Sequence, residues 1–152
     1  MGLLDLASGA SVWKGYEYYK ANKVLSKTKV SETEFEGTLQ GSNDTPYRVF
    51  IDIEHQRKSH CDCPHANGKR IICKHQVALY FSIFPKEAEE YYKEVVEYEE
   101  KEERRQEGLD RKINAYINKL SKAELREALL DLLYCGPDWF FDRFVRENID
   151  DD

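Results

Sequence analysis

The sequence contains no run of about 18 apolar residues, the length that a membrane-spanning helix needs. It also lacks a Walker loop, a G-x-S-x-G motif, an H-E-x-x-H motif and the H-x-E with P-C-x-x-C pattern of zinc deaminases. These absences argue against a membrane protein and against the enzyme classes that depend on those motifs. We therefore expect a protein that is not an enzyme, has no small-molecule substrate and does not bind a membrane.

Acidic residues outnumber basic residues in this chain. Its 23 Lys and Arg residues stand against 29 Asp and Glu residues, which gives a net charge of −6 and a pI of about 5.3. This balance argues against a domain whose whole surface binds nucleic acid. The first ten residues, MGLLDLASGA, lack the basic residues and the long apolar run of a signal peptide, so we expect a cytoplasmic protein.

Only four cysteines occur, and three of them lie within fifteen residues. Cys61 and Cys63 form a C-x-C pair, and Cys73 and His75 form a C-x-H pair nine residues later. In a reducing compartment, clustered cysteines favour a metal site over disulfides. Three thiolates and one imidazole complete a tetrahedral zinc set with no open position, so the sequence predicts one structural Zn²⁺.

Three further residues compete for a place in this site. His60 and His65 are alternatives to His75 as ligands, but His60 would face away from Cys61 on a strand. His65 reaches the ion only if the turn after Pro64 folds back. Cys135 lies at the end of a leucine-rich helix, which favours a buried cysteine that is not a ligand.

The spacing also predicts where the ligands sit. Side chains at i and i+2 point to the same face of a strand, which suits Cys61 and Cys63. On a helix they point about 200° apart, so Cys73 must precede a helix that His75 opens. The ion would then connect the end of a sheet to the start of a helix.

Hydrophobic periodicity predicts an α+β fold. A short N-terminal helix is expected with Ser11 as its N-cap, followed by a three-stranded antiparallel meander in which one face is buried. Phe35, Gly37 and Leu39 share that face. A continuously apolar helix then packs under the sheet and ends at Pro85. The predicted segments are helix 11–22, strands 24–30, 33–40 and 47–53, a turn at 41–44 and helix 76–84.

The C-terminal part reads as a helical extension. Residues 86–107 carry ten acids and five bases, which predicts a solvated helix that Gly108 ends. Ser121 and Glu124 form a capping-box signature for the next helix. That helix is expected to turn five apolar side chains inward: Leu125, Ala128, Leu129, Leu132 and Leu133. We therefore predict two domains, a zinc-binding domain over 1–85 and a helical extension over 86–152.

The cysteine frame resembles the SWIM-type zinc finger, whose signature is C-x-C-x(n)-C-x-H. The likeness extends over about residues 10–85, through Trp13-x-x-Tyr16-x-Tyr18-Tyr19, Pro64 and Lys74-His75-x-Val77-Ala78-Leu79, and indicates a small bacterial type. The resemblance implies that Cys61, Cys63, Cys73 and His75 ligate zinc. It also implies an accessory protein that binds DNA or a DNA-handling partner, such as a SNF2-type ATPase or recombination or defence machinery.

Residues 56–85 form the only segment with net positive charge, +4. Its five bases are candidate nucleic-acid contacts: Arg57, Lys58, Lys69, Arg70 and Lys74. The alternative is that they only offset an anionic zinc site. The alternative function is accordingly a protein–protein interaction scaffold with structural zinc and no nucleic-acid binding.

Overall fold

A computed structural model describes residues 2–41 and 45–149. These residues form five α-helices and a four-stranded antiparallel sheet, which confirms the predicted α+β class. None of these helices is long and apolar enough to cross a membrane. The chain divides into two compact units, Met1–Val96 and Glu97–Asp152.

Helix α1 spans Gly9–Lys20 and begins earlier than predicted. Its N-cap is Ser8 and not Ser11, because the Ser8 hydroxyl accepts a hydrogen bond from the backbone N–H of Ser11 at 3.2 Å. Serine suits both positions, and the structure uses the first one. Past the end of the helix, Asn22 has a φ of 54° and reverses the chain toward the sheet.

The sheet is a meander in the order β1-β2-β3-β4. The predicted inner face is correct, since Phe35 and Leu39 on β2 and Val49 and Ile51 on β3 are buried. Strand β4 adds the cysteine segment to this sheet by pairing Cys61 with Val49. The predicted turn at 41–44 lies outside the described residues except for Gly41. The strands are β1 Val24–Lys29, β2 Glu34–Leu39, β3 Tyr47–Asp52 and β4 His60–Cys61.

Helix α2 spans Lys74–Ile83 and covers the inner face of the sheet. Val77, Leu79 and Phe81 are fully buried, as their continuous apolar run indicated. Helix α1 crosses α2 at very short distance at Gly15, where an added Cβ would lie 2.5 Å from the Val77 Cβ. Pro85 ends α2 and also occupies the first position of the next helix, where its missing N–H costs nothing.

Helix α3 spans Pro85–Ile117, so the predicted break at Gly108 is wrong. One glycine costs a helix only about 1 kcal/mol. Side-chain pairs one turn apart support the helix before this glycine and across it: Arg104 with Glu100, Arg105 with Glu102, and Gln106 with Asp110.

Helices α4 (Lys122–Cys135) and α5 (Asp138–Asn148) pack against each other in the second unit. The predicted capping box is present, since Ser121 and Glu124 bond each other's backbone N–H groups. The predicted inward leucines are wrong: Leu125, Leu129 and Leu132 are exposed, and so are Ala128 and Cys135, while Leu133 is half-buried. The amphipathic pattern identified an apolar face that this unit does not cover.

Candidate metal centre

Four metal-binding side chains converge at the junction of β4 and α2. Cys61, Cys63, Cys73 and His75 are all buried, and their ligand atoms lie within 4.8 Å of one another. Cys61 and Cys63 come from the end of the sheet, whereas Cys73 and His75 come from the start of α2. The four side chains therefore join the end of the sheet to the start of α2, as the sequence predicted.

The spacing of the ligand atoms fits a tetrahedral zinc ion. Sulfur binds zinc at about 2.3 Å, so two sulfurs of one tetrahedron lie about 3.8 Å apart. The Sγ atoms of Cys63 and Cys73 are separated by 3.8 Å. The Nδ1 atom of His75 lies 3.8 Å from Cys61 Sγ and 3.9 Å from Cys73 Sγ. These side chains fit one structural zinc, which they would hold through three sulfurs and Nδ1.

The chain positions the first ligand pair with a strand and a turn. Cys61 is the last residue of β4, and Cys63 lies just outside it, so the strand is shorter than predicted. The carbonyl of Cys63 then accepts hydrogen bonds from the N–H groups of Ala66 and Asn67. Gly68, with a φ of 70°, allows the left-handed step that turns the chain back toward Cys73.

Cys73 is the N-cap of α2, a role that serine usually fills. Its sulfur accepts a hydrogen bond from the N–H of Gln76, and its own N–H donates to Gln76 Oε1 at 2.8 Å. The hydrogen bond from Cys61 lowers the pKa of Cys73 well below its usual value, with help from His75 and the Gln76 N–H and against the effect of burial. This thiolate is thus ready to bind a cation.

The pKa values of the other two cysteines, Cys61 and Cys63, are raised and not lowered. The hydrogen bond to Cys73 and burial raise the pKa of Cys61, and burial and the Cys73 charge raise the pKa of Cys63. Cys61 and Cys63 therefore keep their protons beside the Cys73 thiolate unless a cation compensates the negative charge. Zinc binding would displace those protons, so its affinity falls as the pH falls.

The ring of His75 is held by two tyrosines. Tyr47 on β3 lies 4.8 Å away and Tyr18 on α1 lies 5.4 Å away, measured between ring centroids. Its Nε2 atom is buried and has no hydrogen-bond partner among the described residues. The Nδ1 atom lies 3.8 Å from Cys61 Sγ and 3.9 Å from Cys73 Sγ, so Nδ1 is the atom that would bind the metal. The sequence pattern did not indicate either tyrosine.

The competing residues lie outside the cluster. His60 is exposed and stacks on Phe50 at 5.0 Å between ring centroids, on the opposite face of the sheet from the site. His65 is exposed and lines a cleft beside Cys63, Cys73 and His75 without joining their ligand atoms. Cys135 is a free, exposed cysteine in the second unit.

The buried Asp52, which the sequence pattern did not single out, holds the turn that connects β3 to the segment before Cys61. Its side chain is 1% exposed, and Oδ1 accepts N–H bonds from Glu54 and His55 at 3.0 and 2.8 Å. Burial raises the pKa of this carboxyl, but these bonds and the charges of His55 and Lys58 bring it below its usual value. An Asp at a strand end is typical of such a turn, and that signal was available.

The five predicted basic residues have different surroundings in the structure. Arg57 and Arg70 line the same cleft, of about 340 Å³, together with the buried Ser59. Lys58 lies 3.7 Å from the Asp52 carboxylate, and Lys69 is exposed on the turn between the ligand pairs. Lys74 donates a hydrogen bond to the Tyr18 hydroxyl at 2.8 Å.

Comparison with known families agrees with this geometry. Residues 47–84 match the family model of the SWIM zinc finger, a segment that runs from β3 through α2 and contains all four ligands. No curated protein and no solved structure matches the chain. Residues 47–84 are therefore similar to a SWIM zinc finger, and the four ligands within this segment have an arrangement that fits one tetrahedral zinc ion.

Proposed function

We propose that this zinc-binding module binds DNA through the cleft that contains Arg57 and Arg70. The proposal rests on one observation: two of the chain segments that line the cleft each lead directly into one pair of metal ligands. Arg57 and Ser59 lie just before Cys61, and Arg70 and Ile72 lie just before Cys73. A bound zinc would therefore hold in place both chain segments that bring Arg57 and Arg70 to this cleft.

The chemistry of the cleft suits a phosphate. Its seven lining residues include two arginines and no acid: Leu6, Gln56, Arg57, Ser59, Arg70, Ile71 and Ile72. Arginine binds phosphate oxygens through its planar fork of N–H donors. Phosphate attraction acts within about a Debye length, roughly 8–10 Å, so the acidic remainder of the chain does not prevent local binding.

We further propose a binding role and not a catalytic one. A catalytic zinc keeps one coordination position for water or substrate. The four ligand atoms of Cys61, Cys63, Cys73 and His75 would fill a tetrahedron by themselves.

The second candidate function is a protein-interaction scaffold, which is favoured by the exposed apolar side chains of α4 and α5.

The test is DNA binding by the full chain loaded with zinc. Fluorescence anisotropy with labelled duplex and single-stranded DNA would be measured at two salt concentrations. For Arg57→Ala/Arg70→Ala we expect affinity to fall at least tenfold at low salt. The slope of log K against log salt should fall by about 1.4–1.8, because each lost phosphate contact removes about 0.7–0.9.

Arg104→Ala/Arg111→Ala is the matched control, since it removes the same charge from exposed positions of α3. It should keep the affinity and salt slope of the wild type. If the wild type shows no salt-sensitive binding, DNA binding is refuted. If both double variants lose equal affinity, the cleft is not the binding site.

A further inference from the structure

The second unit presents apolar side chains that nothing in it covers. Within the described residues 122–148, α4 and α5 contain no buried side chain. Leu132 is 60% exposed, Tyr134 73% and Trp139 56%. In the first unit, by contrast, large apolar residues such as Phe81 and Leu79 are fully buried. The same chain thus builds a closed core in one unit and an open apolar face in the other.

The open face follows from the geometry of a two-helix hairpin. Helices α4 and α5 are joined through Gly136 and Pro137 and pack against each other, and a hairpin of two helices covers only the sides that face each other. A cleft of about 320 Å³ opens between them, lined by Leu129, Leu132 and Phe140. Arg143 and Glu147 pair at its margin at 2.9 Å, which gives the apolar cleft a polar edge. Apolar surface rimmed by polar residues marks an interaction site.

The exposed area is large enough for a stable interface. Four aromatic side chains on the hairpin are between 38% and 73% exposed: Tyr134, Trp139, Phe140 and Phe141. At about 200 Å² for each whole side chain, they offer roughly 400 Å². The exposed leucines of α4 bring the total to roughly the 800 Å² per partner that a stable interface buries.

The charge pattern indicates what kind of partner fits. Residues 121–149 carry four bases and six acids, and both helices carry both signs. This mixture does not select a strongly basic or strongly acidic partner. A second identical hairpin supplies the missing apolar layer, and the two together form a four-helix arrangement with one closed core.

We infer that the α4–α5 hairpin is a self-association surface that pairs with the same hairpin of a second copy. Each assembly then carries two zinc fingers, and so two copies of whatever surface the fingers present. Simultaneous use of both raises the apparent affinity without any new contact. The inference does not depend on DNA as the ligand of the finger.

The test is the mass of the full zinc-loaded chain by sedimentation equilibrium or by light scattering after gel filtration. The wild type should have twice the chain mass of 17.9 kDa at micromolar concentration. Leu132→Glu/Trp139→Glu should dissociate the pair and raise the dissociation constant at least 100-fold. Both side chains are exposed, so the variant should keep the wild-type zinc content and helical circular dichroism.

Leu25→Glu is the matched control, because Leu25 is 54% exposed in the first unit. It should remain associated. A wild type that is monomeric at about 100 µM overturns the inference, and so does a double variant that stays associated. A pairing lost in the hairpin variant while the isolated monomer still binds DNA would separate this inference from the proposed DNA binding.

Discussion

Cys73→Ser is expected to lose its zinc ion and the folded state of the first unit. Cys73 is both a metal ligand and the N-cap of α2, and it is 1% exposed. Structural zinc in finger peptides contributes an apparent 10–16 kcal/mol at neutral pH. That is comparable to the roughly 5–15 kcal/mol by which a whole domain is stable. Serine can cap the helix but does not replace the thiolate.

Metal analysis together with thermal melting by circular dichroism checks this expectation. Zinc content should fall from about one ion per chain to near none, and the cooperative melting transition of the unit should disappear. Cys135→Ser is the matched control, since Cys135 is exposed and outside the cluster. It should keep the wild-type zinc content and melting. A Cys73→Ser protein with full zinc and unchanged melting would contradict the assignment of this ligand.

Gly15→Ala is expected to destabilise the first unit by about 1–3 kcal/mol, although alanine favours helices. The added Cβ would lie 2.5 Å from the side chain of Val77 and 2.9 Å from the carbonyl oxygen of Lys74. Both residues belong to the first turns of α2, which carry Cys73 and His75. The added Cβ would push α1 away from α2 and shift the start of α2, so zinc binding should also weaken.

Thermal melting should show a decrease of roughly 4–8 °C for each kcal/mol lost, and a chelator titration should release zinc at lower chelator concentration. Gly9→Ala, in the same helix, is the control because its Cβ would meet nothing within 4 Å. Its stability should equal or slightly exceed that of the wild type. Equal melting of Gly15→Ala and the wild type would show that the two helices can separate without cost.

The sequence predicted the zinc site well because the relevant rules act over short distances. The i, i+2 spacing of Cys61 and Cys63 predicted that both sulfurs could reach one ion. The angle between i and i+2 on a helix placed Cys73 before α2 and His75 within it. The alternating apolar residues of β2 and β3 likewise identified the buried face. These signals depend only on local backbone geometry, so no tertiary information was needed.

The predictions that failed depended on distant contacts. An amphipathic pattern shows that α4 has an apolar face, but it does not show that anything covers Leu132 or that Cys135 is buried. The predicted break at Gly108 is a local exception, because side-chain pairs one turn apart stabilise α3 through this glycine. The tyrosines around His75 come from α1 and β3 and meet only in the folded unit.

A cobalt titration of the metal-free chain tests the zinc site most directly. Cobalt(II) accepts the ligand geometry of zinc and reports it in its visible spectrum. We expect one equivalent to bind, with the intense visible absorption of tetrahedral cobalt and a sulfur-to-metal band in the near ultraviolet from three thiolates. One equivalent of zinc should then displace it. The weak absorption of six-coordinate cobalt, or a stoichiometry other than one, would contradict a closed site made of Cys61, Cys63, Cys73 and His75.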